Sequence, residues 1–514
     1  MTGNEQDKDG IIAQLREENR LLKEKIDYLI KVIHGSSSEK LDASQLELLL
    51  DPEAAKKPEA ADGNEEPPAA EELYAPRKRS TRKPRLPGNI PTIETVLIPG
   101  VVKANPGAYR QVGQKRSEKL DVTPTRYTRH VTIRPTFIEK GEAIPRWITA
   151  PAPPELLEGS FLTPSLLAHT LAAKFCDHLP FDRQEKIMAR RHGIHIPRST
   201  LCNWADFAAN ELEPLYKLIA SDILGSDQIN IDETPVDYLP KDQQGSKQGY
   251  FWVYHSKDAG VLYDWHTGRG HACLDKILAG DGSQKTRHFK GLLQCDGYSA
   301  YQTWAGQRNG VTLAGCWAHL RRKFHEALQH SPAAARILQL IQRLYRADDQ
   351  YRDWLRRNNH PPEAIVYHRR RHGKKLLQQI HGEIHGLKAG HLPKSTMGKA
   401  VNYGLNQWRK LCRAFKHCGS LDNNVCENAV RPLKLGAKNW LFVGNEDTGW
   451  RSAVIFTLIE NIRRAGHDAY AYLKWVFEKI PHMTNQDNLR ELLPKVWIRL
   501  QQDKQQTSRQ ETAA

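Results

Sequence analysis

Residues 227–330 carry the pattern that restricts the fold most. DQINIDETPVDYL is a short apolar run ending in acids, and GYFWVYHS and VLYDWHT follow as strand-like runs. HACLDKILAG is helix-sized, GLLQCDGYSAY is a strand leading into Asp296, and VTLAGCW is a further strand before the basic helix AHLRRKFHEAL. The order is therefore β-β-β-α-β-α-β-α. The first strand and the strand after the intervening helix can pair in parallel, because a crossover joins them. Open sheets collect ligands at the carboxyl ends of their parallel strands. Asp232 is expected at the end of the first such strand and Asp296 at the end of the second, so chain topology makes neighbours of residues far apart in sequence.

Two adjacent carboxylates repel, and either one of them takes up a proton or a cation sits between them. Oxygen ligands suit hard divalent ions, Mg²⁺ (or Mn²⁺) above all. Two such ions about 4 Å apart would clamp the attacking and leaving oxygens of an in-line phosphodiester displacement. Glu427, in LDNNVCENAVRPLKLGAKNW, is the leading candidate for a third acid, on a helix that Asp422 or Asn423 can cap. Arg431, Lys434 and Lys438 follow at helical spacing for DNA phosphates, although Pro432 is expected to kink that helix or end it early. An acid at a strand end is more often a cap or turn residue than a ligand, so the triad does not stand on spacing alone. Glu233 adjoins Asp232 but should point to the opposite side of the strand. Glu460 is the next candidate if Glu427 fails.

The rest of the chain reads as a multidomain α+β protein that handles DNA. Its formal net charge is +16 over 514 residues, which favours a polyanionic partner. In residues 11–34, Leu15, Leu22 and Leu29 repeat every seven positions, beside Ile12, Asn19, Ile26 and Ile33. That seam predicts a dimeric coiled coil within a segment 1–50, with Asn19 fixing register. Residues 51–92 read as a disordered linker that turns basic in PRKRSTRKPRLP. Residues 93–155 alternate as a small β module, and residues 156–215 give helix, glycine turn and helix. This is a helix-turn-helix pattern with Arg198, Ser199, Thr200 and Asn203 at the entering end. The core is expected over 216–330 and 421–484, with a helical segment over 331–420 and a loosely ordered polar tail over 485–514. His381 and His385 have ligand spacing but lack the HExxH order of a zinc helix. The eight cysteines include no CxxC pair, as suits a reducing compartment. Neither a signal peptide nor a membrane span is legible, so the expected location is the cytoplasm, on the bacterial chromosome.

IDETPVDY, CDGYSAY, GCWAHLRRKF and LDNNVCENAVRPLKLGAKNWLFVG occur in the order found in transposases of the insertion-sequence-66 family, which this chain resembles. HGSSSEKL, KFCDHLPFDRQEKI and IPRSTLCNW extend the resemblance over most of the chain. The resemblance implies a ribonuclease-H-like α/β catalytic core whose DDE triad falls on Asp232, Asp296 and Glu427, with a helical insertion before the glutamate. It also implies double-stranded DNA as partner (element ends and target), assembly as a homodimer or on DNA, and accessory proteins encoded by the same element. Cys316 and His319 resemble a Cys-x-x-His pair found after the second acid in several transposase groups; by themselves such residues are more often structural than metal ligands. Residues 93–150 contain no cysteine where family members usually carry a zinc module, so no zinc is expected there. Two alternatives share the core: a structure-selective nuclease, which needs neither zipper nor helix-turn-helix, and a DNA-binding repressor, which has no need of intact acids.

Overall fold

The computed structural model describes residues 19, 22, 126–133, 136–138, 147–149, 153–280, 288–484 and 486–513. The expected coiled coil, apart from the helical Asn19 and Leu22, and the expected linker lie outside these residues. In the smaller of two compact units, strands β1 (Thr136–Ile138) and β2 (Trp147–Thr149) pair antiparallel, Phe137 opposite Ile148. Most of the predicted β module falls outside the described residues.

The larger unit is built on a mixed sheet of β3 (Gln228–Tyr238), β4 (Lys247–Ser256), β5 (Gly260–His266), β6 (Gly291–Cys295) and β7 (Val311–Gly315). The strand order is β5-β4-β3-β6-β7; β3, β6 and β7 are parallel, and β4 and β5 return antiparallel. Phe251, Trp252, Val253 and Tyr254 are consecutive and all fully buried. A strand with no polar face must be covered on both sides. The piece expected as one helix near HACLDKILAG forms two short turns instead, a 3₁₀ turn (His271–Leu274) and α4 (Asp275–Leu278).

Upstream lie α1 (Pro164–Phe175), α2 (Phe181–His192) and α3 (Arg198–Leu224). Thr163 caps α1 through Leu166 N–H, and Gly193 ends α2 at φ 65°, a left-handed turn that glycine adopts without strain. The helix-turn-helix order is present, but α3 runs past the expected boundary near residue 215 and packs on β5. Pro214 does not stop it, because buried Leu212, Leu215, Tyr216 and Ile219 hold both halves to one surface.

After β6 come α5 (Ser299–Gly306), then β7 and α6 (Trp317–Leu328). The segment expected to be helical is so: α7 (Ala334–Arg357), α8 (Ala364–His368), a π turn (Arg369–Gly373), α9 (Lys374–Gly386) and α10 (Thr396–Ala414). It shares one apolar core with α6, in which Trp317, Leu320 and Phe324 meet Ile337, Ile380, Val401 and Leu411. Arg369 is buried at the π turn, and its guanidinium pairs with Asp348 at 2.7 Å and donates to the carbonyls of Ala414 and Gly419.

The last helices are α11 (Asn424–Trp440), α12 (Glu446–Arg464), α13 (Ala469–Lys479) and α14 (Pro494–Ala513). α11 packs on β3 and β4, and α12 on β5 and α3. At the centre, the Phe456 ring meets Phe175, Phe251 and Tyr263. Two expectations fail here. Pro432 does not end α11 early: the helix runs on to Trp440, with Pro432 and Leu433 buried. The C-terminal segment is ordered where the expectation was a loose tail: Leu492, Leu493 and Trp497 are buried, Trp497 lies edge-on to Tyr472, and Arg490 and Lys495 both pair with Asp222 of α3.

Candidate active site

β3 and β6 align Gln228 with Leu292, Ile229 with Leu293 and Asn230 with Gln294. Asp232 and Asp296 each lie two residues past the last pair of that register. Asp232 is not at the end of β3, as expected, but inside it, since pairing with β4 extends the strand to Tyr238. What ends at Asn230 is the parallel ladder, so Asp232 still lies just past its carboxyl edge. Asp296 follows the last residue of β6, and its Oδ1 accepts Tyr298 N–H at 2.8 Å. Asp232 accepts the N–H of Glu233 at 3.0 Å.

Glu427 enters from the first turn of α11. Its Oε2 accepts from Arg322 Nη2 at 2.8 Å, and its Oε1 lies 3.6 Å from His319 Nδ1. Oε1 and His319 Nδ1 are both buried without a hydrogen-bond partner. Burial pushes Asp232 up to about 8, helped by the charges of Glu233 and Asp296 and, less, of Glu427. Those effects bring Asp232, Asp296 and Glu427 into one electrostatic neighbourhood. Glu460 does not join it; burial raises its carboxyl, and its partners are Arg463, at 2.8 Å, and Arg464.

The start of α11 is fixed by a buried polar node. Asp422 Oδ1 accepts Asn424 N–H at 3.1 Å, so Asp422 and not the Asn423 side chain satisfies the helix entrance. Asn423 turns inward: its Nδ2 donates to Ile231 O at 2.8 Å, and its Oδ1 accepts from Asn230 Nδ2 at 2.9 Å. Its backbone N–H donates to Cys316 Sγ at 3.2 Å, and Trp317 N–H donates to Leu421 O. The residue before Asp232 is thereby tied to the residue four before Glu427. Burial pushes the Cys316 thiol up to about 12, which keeps it a neutral acceptor. Cys316, His319 and Glu427 have potential ligand atoms within 4.8 Å of one another, and they are the one such group of three among the described residues. His381, by contrast, packs on the Trp408 ring.

Asn423→Ala is expected to remove the side-chain donor to the Ile231 carbonyl and one of the two acceptors of Asn230 Nδ2, which keeps Gln294 Oε1 at 3.2 Å. The cost should be about 1–3 kcal/mol in denaturant unfolding. Stability within about 0.5 kcal/mol of the parent protein would show that the node does not hold α11.

Glu233 is turned onto a different set of partners. Its buried carboxylate accepts from Arg269 Nε at 3.0 Å and from the Tyr301 hydroxyl. Arg269 stacks on the Tyr298 ring, 4.0 Å from its centroid, which joins this ion pair to the Asp296 turn. Sequence reasoning missed Arg269, Tyr301, Arg322 and Asn230, and it named Asn423 only as a possible cap. Only Arg322 left a signal, three residues after His319 on one helix.

The DNA-contact candidates fall in two groups. Arg198, Ser199 and Asn203 are exposed and Thr200 partly so, at the start of α3. Arg431, Lys434 and Lys438 are exposed on α11, four, seven and eleven residues after Glu427, and so on its face of the helix. Lys434 Nζ donates to Pro235 O on β3 at 3.3 Å.

The family model described as "Transposase IS66 family" matches residues 159–450. This chain belongs to the IS66 transposase family. The family's C-terminal element matches residues 457–495, and a model described as "Transposase C of IS166 homeodomain" matches residues 21–95. Two uncharacterised proteins of Sinorhizobium fredii are similar. One, y4jD, is 30% identical over 93% of this chain and 94% of its own length. The other, y4qI, is 30% identical over 82% of this chain and 78% of its own length. For this IS66 family member, the resemblance expected from the sequence is thus confirmed, and no described helix is long and apolar enough to cross a membrane.

Proposed function

We propose that this transposase binds the ends of an insertion sequence and carries out metal-dependent strand cleavage and strand transfer in a ribonuclease-H-like core. The observation that supports the reading is the parallel β3–β6 ladder, which ends two residues before Asp232 and Asp296, together with the buried Asn423 node at the entrance of the helix that carries Glu427. The donor set fits a hard divalent cation. The three acids offer oxygen, the carboxyl of Asp232 is raised by burial and neighbouring negative charge, and Oε1 of Glu427 lacks a partner. Asp232, Asp296 and Glu427 would hold Mg²⁺ or Mn²⁺, two per site. The ions would supply activation of the attacking oxygen and stabilisation of the leaving one.

The chain's own residues do the rest. Arg322 holds one oxygen of Glu427, and the other lies 3.6 Å from His319 without a hydrogen-bond partner. Arg269 and Tyr301 engage Glu233, so that its carboxylate does not compete with Asp232 for a cation. Arg431, Lys434 and Lys438 offset the phosphate charge that the acids repel. Cleavage and joining need one site, because both displace at phosphorus and differ only in the nucleophile. Incubation with labelled element ends, a target plasmid and Mg²⁺ tests the reading. Nicked ends and joined products are expected, and binding without either product would reduce the protein to a repressor.

Recognition of the ends is assigned to the start of α3. Replacing Arg198 or Asn203 by Ala should weaken end binding by about 1–3 kcal/mol if either contacts a base edge. Binding to random duplex should change little. Equal losses on both in a gel-shift titration would remove the readout role.

A further inference from the structure

Two buried atoms face each other beside the candidate active site without bonding. Glu427 Oε1 lies 3.6 Å from His319 Nδ1, and neither has a hydrogen-bond partner. That separation is too long for a hydrogen bond. It does match two ligands of one tetrahedral ion, since bonds of about 2.0–2.3 Å set neighbouring donor atoms about 3.4–3.6 Å apart. Cys316 supplies a third donor: its Sγ, His319 Nδ1 and Glu427 Oε1 all lie within 4.8 Å of one another. The sulfur therefore has roughly 1 Å to close at most.

Local folding brings the three together. Cys316 stands at the N-terminal end of α6 and His319 one helical turn later, on the same face. Glu427 arrives on the first turn of α11, next to the Asn423 N–H that donates to Cys316 Sγ at 3.2 Å. The same sulfur accepts the backbone N–H of His319. Two N–H groups on one sulfur at a helix N-terminus suit a metal-bound thiolate. Arg322 holds Glu427 Oε2 at 2.8 Å, so the carboxylate would meet an ion through Oε1 alone.

Donor chemistry selects the ion. Mg²⁺ takes oxygen ligands, whereas a sulfur, nitrogen and oxygen set suits Zn²⁺. A thiolate and a carboxylate cancel its charge, and three protein donors leave the fourth position to water. Binding would release the thiol proton to solvent.

We propose that Cys316 Sγ, His319 Nδ1 and Glu427 Oε1 bind one Zn²⁺ ion, and that this ion withholds Glu427 from the cations at Asp232 and Asp296. The zinc site follows from the three donors. Its effect on cleavage rests on the reading of Glu427 as the third acid.

The test adds Co²⁺, a spectroscopic stand-in for Zn²⁺, to the full chain freed of divalent ions by chelation and dialysis. The expected result is the charge-transfer band of a cobalt thiolate with the strong visible bands of four-coordinate cobalt. Zn²⁺ should displace the Co²⁺, and excess Mg²⁺ should not. Cys316→Ser, which keeps an acceptor for the Asn423 N–H, should abolish the charge-transfer band. His319→Gln, at a partly exposed residue, should weaken Co²⁺ binding by more than about 100-fold, beyond what loss of an outer-shell partner causes. If Cys316→Ser does not fold, His319→Gln decides alone. No thiolate band in the parent protein, or a band that survives substitution, would overturn the site. In a cleavage assay at saturating Mg²⁺, added Zn²⁺ should inhibit; full cleavage by zinc-loaded protein would overturn the competition for Glu427. A parent protein that shows the band and never cleaves would support the zinc site and remove the transposase reading.

Discussion

Asp232→Asn should lower strand cleavage and strand transfer by about 10³-fold or more, equivalent to roughly 4 kcal/mol of transition-state stabilisation. Asp296→Asn and Glu427→Gln should do the same. Each change keeps the side-chain shape and removes one negative charge from a cluster whose burial and mutual repulsion already raise Asp232 to about 8. Divalent-ion affinity and turnover should fall together, while binding of element ends through α3 persists. Titration with Mn²⁺, read by electron paramagnetic resonance, would follow the first, and a cleavage assay on end-labelled DNA the second. Near-normal cleavage by any one variant at saturating Mg²⁺ would remove that residue from the triad. Loss of cleavage with full ion binding would point to a positioning role instead.

Asp348→Ala should destabilise the chain by about 3–5 kcal/mol, because Arg369 would remain buried with a charge and no carboxylate. A denaturant melt of the variant should show a clear fall in midpoint; a change under about 1 kcal/mol would mean that the carbonyls of Ala414 and Gly419 suffice. Burial alone would raise the Asp348 carboxyl, but hydrogen bonds and charge from Arg369 and Arg352 outweigh it and hold the group below the usual carboxylate range. A depressed folded-state value has a definite sign. The stabilisation is fully present above the unfolded value of about 3.9 and is lost as pH falls through the folded one. Acid should therefore loosen the helical segment of the parent protein and leave an Asp348→Ala variant less sensitive.

Much of the sheet was legible because strand order and parallel pairing are written in local apolar runs. The runs around Ile231 and Leu293 predicted two neighbouring parallel strands, and these pair over Gln228–Asn230 and Leu292–Gln294, just before the two aspartates. Glu427 was legible as an acid on a capped, basic helix. What could not be read was the packing between distant segments. Nothing near Asn423 announces that its side chain will bridge Asn230 and Ile231. Pro432 misled because the usual cost of an interior proline assumes a free helix, whereas this one is buried against the sheet. The tail misled for the opposite reason: Leu492, Leu493 and Trp497 are few, and their value depends on a surface made by α3, α12 and α13.

The sheet is covered by helices that come much later in the chain, and this gives the enzyme a timetable. Asp232 and Asp296 leave the ribosome early, but Glu427 comes 195 residues after Asp232, and the Phe456 ring that closes over Phe251 and Tyr263 comes 224 residues after it. At about 5–20 residues per second, that lag is roughly 10–40 s. Throughout it the growing chain holds an unroofed apolar sheet and an incomplete set of acids. A product that stops short of α11 would thus keep the α3 residues proposed to bind DNA but lack Glu427, and would be prone to stick to its neighbours, so that on the proposed reading synthesis running past α12 is itself a checkpoint on when cutting can begin.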